Sequence, residues 1–141
     1  MAATKFIFAP SDSEAATAIV KEKLNNGTLE FSQGSYRNHY FLIKKKNDTW
    51  RFIIDIQLLN KIMIRDSNMP PSVDEFSEDI TGYPITSAIN YDFGCYQIPL
   101  DKSSRDLTAF LTALGLVRMT RLSHGWINSV ACFQCVMGKV H

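Results

Sequence analysis

The chain has no apolar run near the roughly 18 residues that a membrane-spanning helix needs. Its first residues, MAATKFIFAPSDSE, lack the basic start and long apolar stretch of a secretory signal. An intracellular protein with no membrane partner is the expectation, with cytoplasm and nucleus not distinguished. Cysteine is scarce and odd in number, three in 141 residues, which argues against a disulfide framework. Phosphate-cradling glycine motifs are absent, with neither G-x-G-x-x-G nor a P-loop present. Ser123, His124 and Asp106 lack a G-x-S-x-G context, which removes the simplest hydrolase reading. No Asp or Glu follows Asp106. There is no internal repeat and no low-complexity tract.

What is present fits one domain or a piece of a larger one: 45% of the residues are hydrophobic and 21% charged. The net charge is only +1, but it is unevenly distributed. Between Tyr36 and Arg65 seven cations (Arg37, Lys44, Lys45, Lys46, Arg51, Lys61, Arg65) face two anions (Asp48, Asp55), a local balance of +5 that leaves −4 for the rest. Such a patch attracts phosphates, although a solvated basic surface gives the same count.

Local signals give an α+β order. Ser11 and Glu14 form an S-x-x-E capping box, and Asn25-Asn26-Gly27 a stop, around Ala15, Ala16, Ile19, Val20 and Leu24 at helical spacing. Thr28 to Arg37 is polar and reads as a linker. Tyr40–Lys44 and Trp50–Asp55 read as a hairpin with a cationic tip around Asn47-Asp48. Ser72 and Glu75 form a second capping box, before Val73, Phe76 and Ile80 on one face of a short helix. Ile85 to Asp92 alternates like a strand that breaks at Gly94, and Tyr96–Leu100 reads as another. Two more strands flank Gly115. Asn128 is placed to cap a final helix with Val130, Phe133, Met137 and Val140 on one stripe. Cys132 and Cys135 make a C-x-x-C. Only Cys95, His124 and His141 could complete a zinc site, so small apolar packing is the simpler role.

Four stretches, FLIKKKNDTWRFIIDIQLLNK, MPPSVDEF, DFGCYQIPLDKSSRDLTAFLTALGLVRMTRL and HGWINSVACFQCVM, stand in the order seen in reverse transcriptases. The chain resembles the RNA-directed DNA polymerases of gypsy-class LTR retrotransposons, fungal ones especially, over about residues 15 to 141. The resemblance implies a right-hand polymerase fingers/palm fragment. Residues 1–35 would be a leading helix and linker, 36–84 the fingers, and 85–141 an incomplete palm that stops before the second catalytic motif. It implies RNA or DNA template-primer and dNTP as partners, the remainder of a polyprotein beside it, and Mg²⁺ as cofactor, held by carboxylates.

The same resemblance assigns residues. Lys45 and Arg51 match the triphosphate-binding positions of the fingers hairpin. Lys44, Lys46 and Arg37 would lie along nucleic acid. Counting back without a gap from Gly94 and Gln97-Ile98-Pro99-Leu100, the first metal-binding aspartate falls on Asn90. An amide there lacks the charge that Mg²⁺ catalysis relies on. Asp92 would face the same way, displaced by about 6.6 Å along a strand, too far to substitute in a near-attack geometry. The aromatic that screens the sugar falls on Cys95, and His124 occupies a position that frames the incoming nucleotide. The expectation is a fragment that binds no metal productively and does not polymerise alone, the alternative being a non-catalytic remnant that binds nucleic acid.

Overall fold

A computed structural model of the chain describes residues 10–67, 70–91 and 94–140. Helix α1 (Pro10–Asn25) comes first. It already begins at Pro10, so Ser11 lies inside the helix and not at its cap. Ala16 and Val20 are buried on one stripe. The helix ends where Gly27 turns into the left-handed region, φ 79°, and the Gly27 amide donates to Leu24 O (3.3 Å).

The polar stretch after α1 holds a strand that its composition hides. β1 (Leu29–Phe31) is three residues long and exists because its partner is elsewhere in the chain. It pairs antiparallel with β5 (Gly115–Met119), Leu29 opposite Met119 and Glu30 opposite Arg118. β4 (Phe110–Thr112) pairs with the other edge of β5, giving a three-stranded sheet in the order β1-β5-β4. The predicted strands around Gly115 are therefore present. Gly115 itself sits at φ 121°, a conformation that side chains resist.

β2 (His39–Lys44) and β3 (Trp50–Asp55) form the predicted hairpin as a separate two-stranded sheet. Its inner face brings Tyr40 and Phe52 against Phe110, with ring centroids 5.3–5.4 Å apart. Asn38 fastens the hairpin to the other sheet: its amide donates to Ala109 O (2.8 Å), and its Nδ2 donates to Leu107 O (2.7 Å). The core consists of Val20, Leu29, Ile54, Ile56, Leu59, Phe110, Val117, Met119 and Trp126. It thus gathers residues from α1, both sheets and α2 (Gln57–Ile62).

Beyond α2 lies α3 (Val73–Ile80), where the predicted capping box is complete: Glu75 N donates to Ser72 Oγ, and Ser72 N donates to the Glu75 carboxylate. Residues 83–91 then run as exposed, irregular chain. The expected strand from Ile85 is not there. Alternation alone gives a strand no partner, and neither edge of the β1-β5-β4 sheet takes this segment. Tyr96–Leu100 is likewise no strand. It opens with a 3-10 turn (Gly94–Gln97), and only Pro99 bridges, antiparallel, to Arg121. A short helix α4 (Lys102–Arg105), N-capped by Asp101, leads into β4. Helix α5 (Ser129–Val140) ends the described chain. No helix among the described residues is long and apolar enough to cross a membrane.

Candidate functional site

Two places hold the residues that the sequence singles out. The first is the hairpin tip. Asp48 takes φ 58°, a conformation that Asp tolerates. Lys45 N donates to Thr49 O (2.7 Å), and the Thr49 hydroxyl donates to Asn47 Oδ1 (2.7 Å). Ile43 stands opposite Arg51 in the register. Ile43 and Arg51, paired across the hairpin, share one face, and Lys45 follows directly on the end of β2. There they line a shallow depression of about 480 Å³ together with Lys44, Lys46 and Asn47. Lys44 is engaged, its Nζ 2.9 Å from the Asp48 carboxylate across the turn. Lys45, Lys46 and Arg51 have no ion pair among the described residues, so their charges face solvent around the hollow. Arg37 is held elsewhere: its guanidinium donates to Gly34 O (2.8 Å) and Tyr36 O (2.9 Å), which folds it back onto its own loop.

The second place is the junction of the 94–97 turn, the 122–128 segment and α5. A Cβ on Gly94 would lie 2.9 Å from the Phe133 ring, so only glycine allows this close approach. Tyr91, next to Asn90, meets the same ring edge-on at 6.1 Å. Asn90 is therefore tethered to α5 through its neighbour while remaining exposed. Asp92 lies outside the described residues. Tyr96, next to Cys95 in the 94–97 turn, meets the His124 ring edge-on at 5.5 Å. Ser123 beneath His124 is buried, and its carbonyl accepts from the Ser129 hydroxyl at 2.6 Å.

Residues that sequence reading missed (Asn60, Lys23) or expected only as a helix cap (Asn128) do much of the positioning. Asn60 Nδ2 donates to Gly125 O (2.8 Å) and its Oδ1 accepts from Ile127 N (2.9 Å). Asn128 does the same in the other direction, donating to Ile64 O (2.8 Å) and accepting from Asp66 N (2.9 Å). Its side chain thus stitches the 64–66 segment to the start of α5. Lys23 is half-buried, its Nζ 4.7 Å from the Tyr96 ring centre and 6.0 Å from that of Phe52, linking α1 to β3 and to the turn. Burial lowers its pKa, and Glu22 offsets part of that. None of these contacts has a local pattern, because each partner is distant in sequence.

A network of charges fixes the sheet below. Arg118 Nε lies 2.7 Å from the Glu30 carboxylate, and its Nη1 lies 2.7 Å from Asp106 Oδ1. Arg105 reaches Glu30 at 3.2 Å and donates from Nε to Leu100 O. Partial burial alone would raise the Glu30 pKa, but hydrogen bonds from Arg105 and Arg118 outweigh it and hold the carboxyl below its ordinary range. Asp106 is lowered by the Ser32 hydroxyl and by Arg118.

Among the described residues, the donor set does not suit a divalent cation of the Mg²⁺ type. Asn90 offers a neutral oxygen, and among the described residues no three His, Cys, Asp or Glu side chains come together as a metal-binding group.

No protein-family profile matches the chain. Curated relatives do. It is 30% identical over 133 residues to the retrovirus-related Pol polyprotein from transposon 412 of Drosophila melanogaster, covering 90% of this chain and 11% of that protein. With the Pol polyprotein from transposon 297 of the same fly it shares 31% over 126 residues, 86% of this chain and 12% of the relative. The enzymatic polyprotein of cauliflower mosaic virus (strain D/H) is 28% identical over 131 residues, 90% of this chain and 19% of that protein. The chain thus spans between about a tenth and a fifth of the curated relatives named here. Among solved structures, a foamy viral protease-reverse transcriptase in complex with double-stranded DNA superposes with a TM-score of 0.69 at 18% identity, over 96% of this chain and 23% of that one. The described fold, mixed α/β with antiparallel sheets, is thus shared with part of that solved structure.

Proposed function

We propose, with the likeness to retroelement Pol polyproteins as premise, that the chain is the fingers and partial palm of a reverse transcriptase from a gypsy-class LTR retrotransposon of fungal type. Residues 36–84 would be the fingers and 85–141 the palm portion. In such an enzyme the partners are an RNA or DNA template-primer and dNTP, with Mg²⁺ as cofactor. The foamy viral neighbour in complex with double-stranded DNA supports a nucleic-acid partner. By itself this 141-residue polypeptide does not polymerise. The observation that carries this reading is Asn90, an amide at the position counted back from Gly94 and Gln97-Ile98-Pro99-Leu100, in exposed chain with no acidic cluster among the described residues. Primer extension by the purified chain, with Mg²⁺ and separately with Mn²⁺, is expected to yield no product. Measurable nucleotide addition would refute the inactivity.

The depression at the hairpin tip favours a second, compatible reading: a non-catalytic fold that binds nucleic-acid phosphates. Arg51 offers a planar fork to phosphate oxygens, and Lys45 and Lys46 supply mobile point charges beside it. Titrating an RNA–DNA duplex at several salt concentrations tests it, because each neutralised phosphate contributes about −0.9 to the slope of log affinity against log salt. Replacing Lys45, Lys46 and Arg51 with Ala together should flatten that slope by about 3. Lys44→Ala should change it least, since Asp48 already answers that charge. Binding that ignores salt would eliminate this reading.

A further inference from the structure

Helix α3 leaves its apolar stripe uncovered. Val73, Phe76 and Ile80 fall three and four residues apart, on one face, and no residue of the helix is buried. Val73 keeps 79% of its surface exposed. At 3.6 residues per turn, Asp74 and Glu78 border this stripe on one side, and Glu75 and Asp79 on the other. Glu75 is occupied by its own capping box. Asp74, Glu78 and Asp79 form no ion pair among the described residues. No Lys or Arg stands between Arg65 and Lys102, so nothing near in sequence offsets these charges.

The hairpin tip is the complement in both properties. Ile43, 47% exposed, supplies an apolar patch in the hollow. Lys45, Lys46 and Arg51 ring it with three cations that have no ion pair among the described residues. Each face repels its own kind: α3 against α3 sets carboxylate on carboxylate, and tip against tip sets cation on cation. Attraction arises only when the two unlike faces meet, and within one chain both remain exposed.

We propose that α3 of one copy docks on the hairpin tip of a second copy. Phe76 rests against Ile43, while Asp74, Glu78 and Asp79 face Lys45, Lys46 and Arg51. Each copy carries both faces, so the contact is heterologous and chains can add head to tail. An eight-residue helix covers little area, at or below the small end of specific interfaces, about 1,200 Å², so the association is weak and reversible. The same cations serve the phosphate reading above, but this inference stands on the two exposed faces. A failure of duplex binding would leave its expected results unchanged.

The test is sedimentation equilibrium of the whole chain, nuclease-treated, over a range of concentrations in low and in high salt. The average mass should rise with concentration in low salt and fall back toward the monomer in high salt, because exposed charges are screened. A tip variant (Lys45→Glu, Lys46→Glu, Arg51→Glu) and a helix variant (Phe76→Ala, Glu78→Lys, Asp79→Lys) should each be monomeric. All six positions are exposed, so both variants should keep the fold, as circular dichroism would verify. Mixed in equal amounts, they should form a complex of one copy of each and nothing larger. The tip variant retains an intact α3, and the helix variant an intact tip. A wild-type chain that stays monomeric at its highest soluble concentration in low salt would overturn the proposal. So would association that survives in either variant, or folded variants that stay apart when mixed.

Discussion

Helices α1 and α3 show how differently two apolar stripes of one chain are used. In α1, Ala16 and Val20 are turned inward onto β1 and the hairpin, and Val20 is fully buried. In α3, Val73, Phe76 and Ile80 occupy a comparable stripe, yet Phe76 keeps 56% of its surface exposed and no residue of the helix is buried. The first helix is held by tertiary contact. The second is held by its own first turn, through the Ser72–Glu75 capping box and the acidic Asp74 and Glu75 near the positive end of the helix dipole. Apolar spacing thus specifies a helix without specifying a partner, and stability in this molecule is concentrated on the α1 side of that divide.

The difference can be broken most forcefully at Phe110. It is fully buried and touches both Tyr40 and Phe52. Phe110→Ala should cost about 3–5 kcal/mol, read as a fall in the urea midpoint, and unfold the hairpin and the three-stranded sheet together. A loss no larger than that of a surface mutant would show that the two sheets do not share a core.

Acid should act next. Glu30 and Asp106 both have folded pKa values below their ordinary ones. The stability they contribute is present above the unfolded carboxylate range and is lost as pH falls through the depressed folded values. Melting temperature should therefore drop on acidification below about pH 4.5, and the drop should be shallower in Arg118→Met, which removes the shared partner. An unchanged acid limb in that variant would assign the effect to other carboxylates.

A smaller and more local change is expected at the cap. Ser72→Ala should weaken α3 by about 1 kcal/mol, seen as faster amide exchange across residues 75–80 while the global urea midpoint holds. A global shift would mean that α3 is coupled to the core after all. Smallest of all, Phe76→Ala should alter global stability by no more than about 0.5 kcal/mol, in contrast with Phe110.

These contrasts also explain what the sequence disclosed. The hairpin, the second capping box, the strands about Gly115 and the last helix were legible because turn residues and short-range periodicity determine them. β1 was not, since three residues in a polar stretch become a strand only when β5, almost ninety residues on, supplies the ladder. The segment from Ile85 failed in the opposite sense: its alternation is strand-like, but no neighbouring strand accepts it. At the candidate site, the cationic tip was readable from Lys44 to Arg51 as a cluster of like charge. That Lys44 is answered by Asp48, or that Arg37 bends back to Gly34, required geometry. Asn60 and Lys23 gave no signal, and Asn128 signalled only a helix cap while its side chain ties to Ile64 and Asp66, because an amide or amine becomes a tie only once the fold sets its distant partner beside it.

The paired amides at Asn60 and Asn128 also make the molecule sensitive to slow chemical ageing. Each side chain must both give and take a hydrogen bond. Loss of ammonia from either would leave a carboxylate that can only accept, setting a negative charge against the carbonyl of Gly125 or Ile64. A change of about one dalton, invisible in size and shape, would turn a clasp into a repulsion and loosen the seam between the hairpin side of the chain and the entrance to α5.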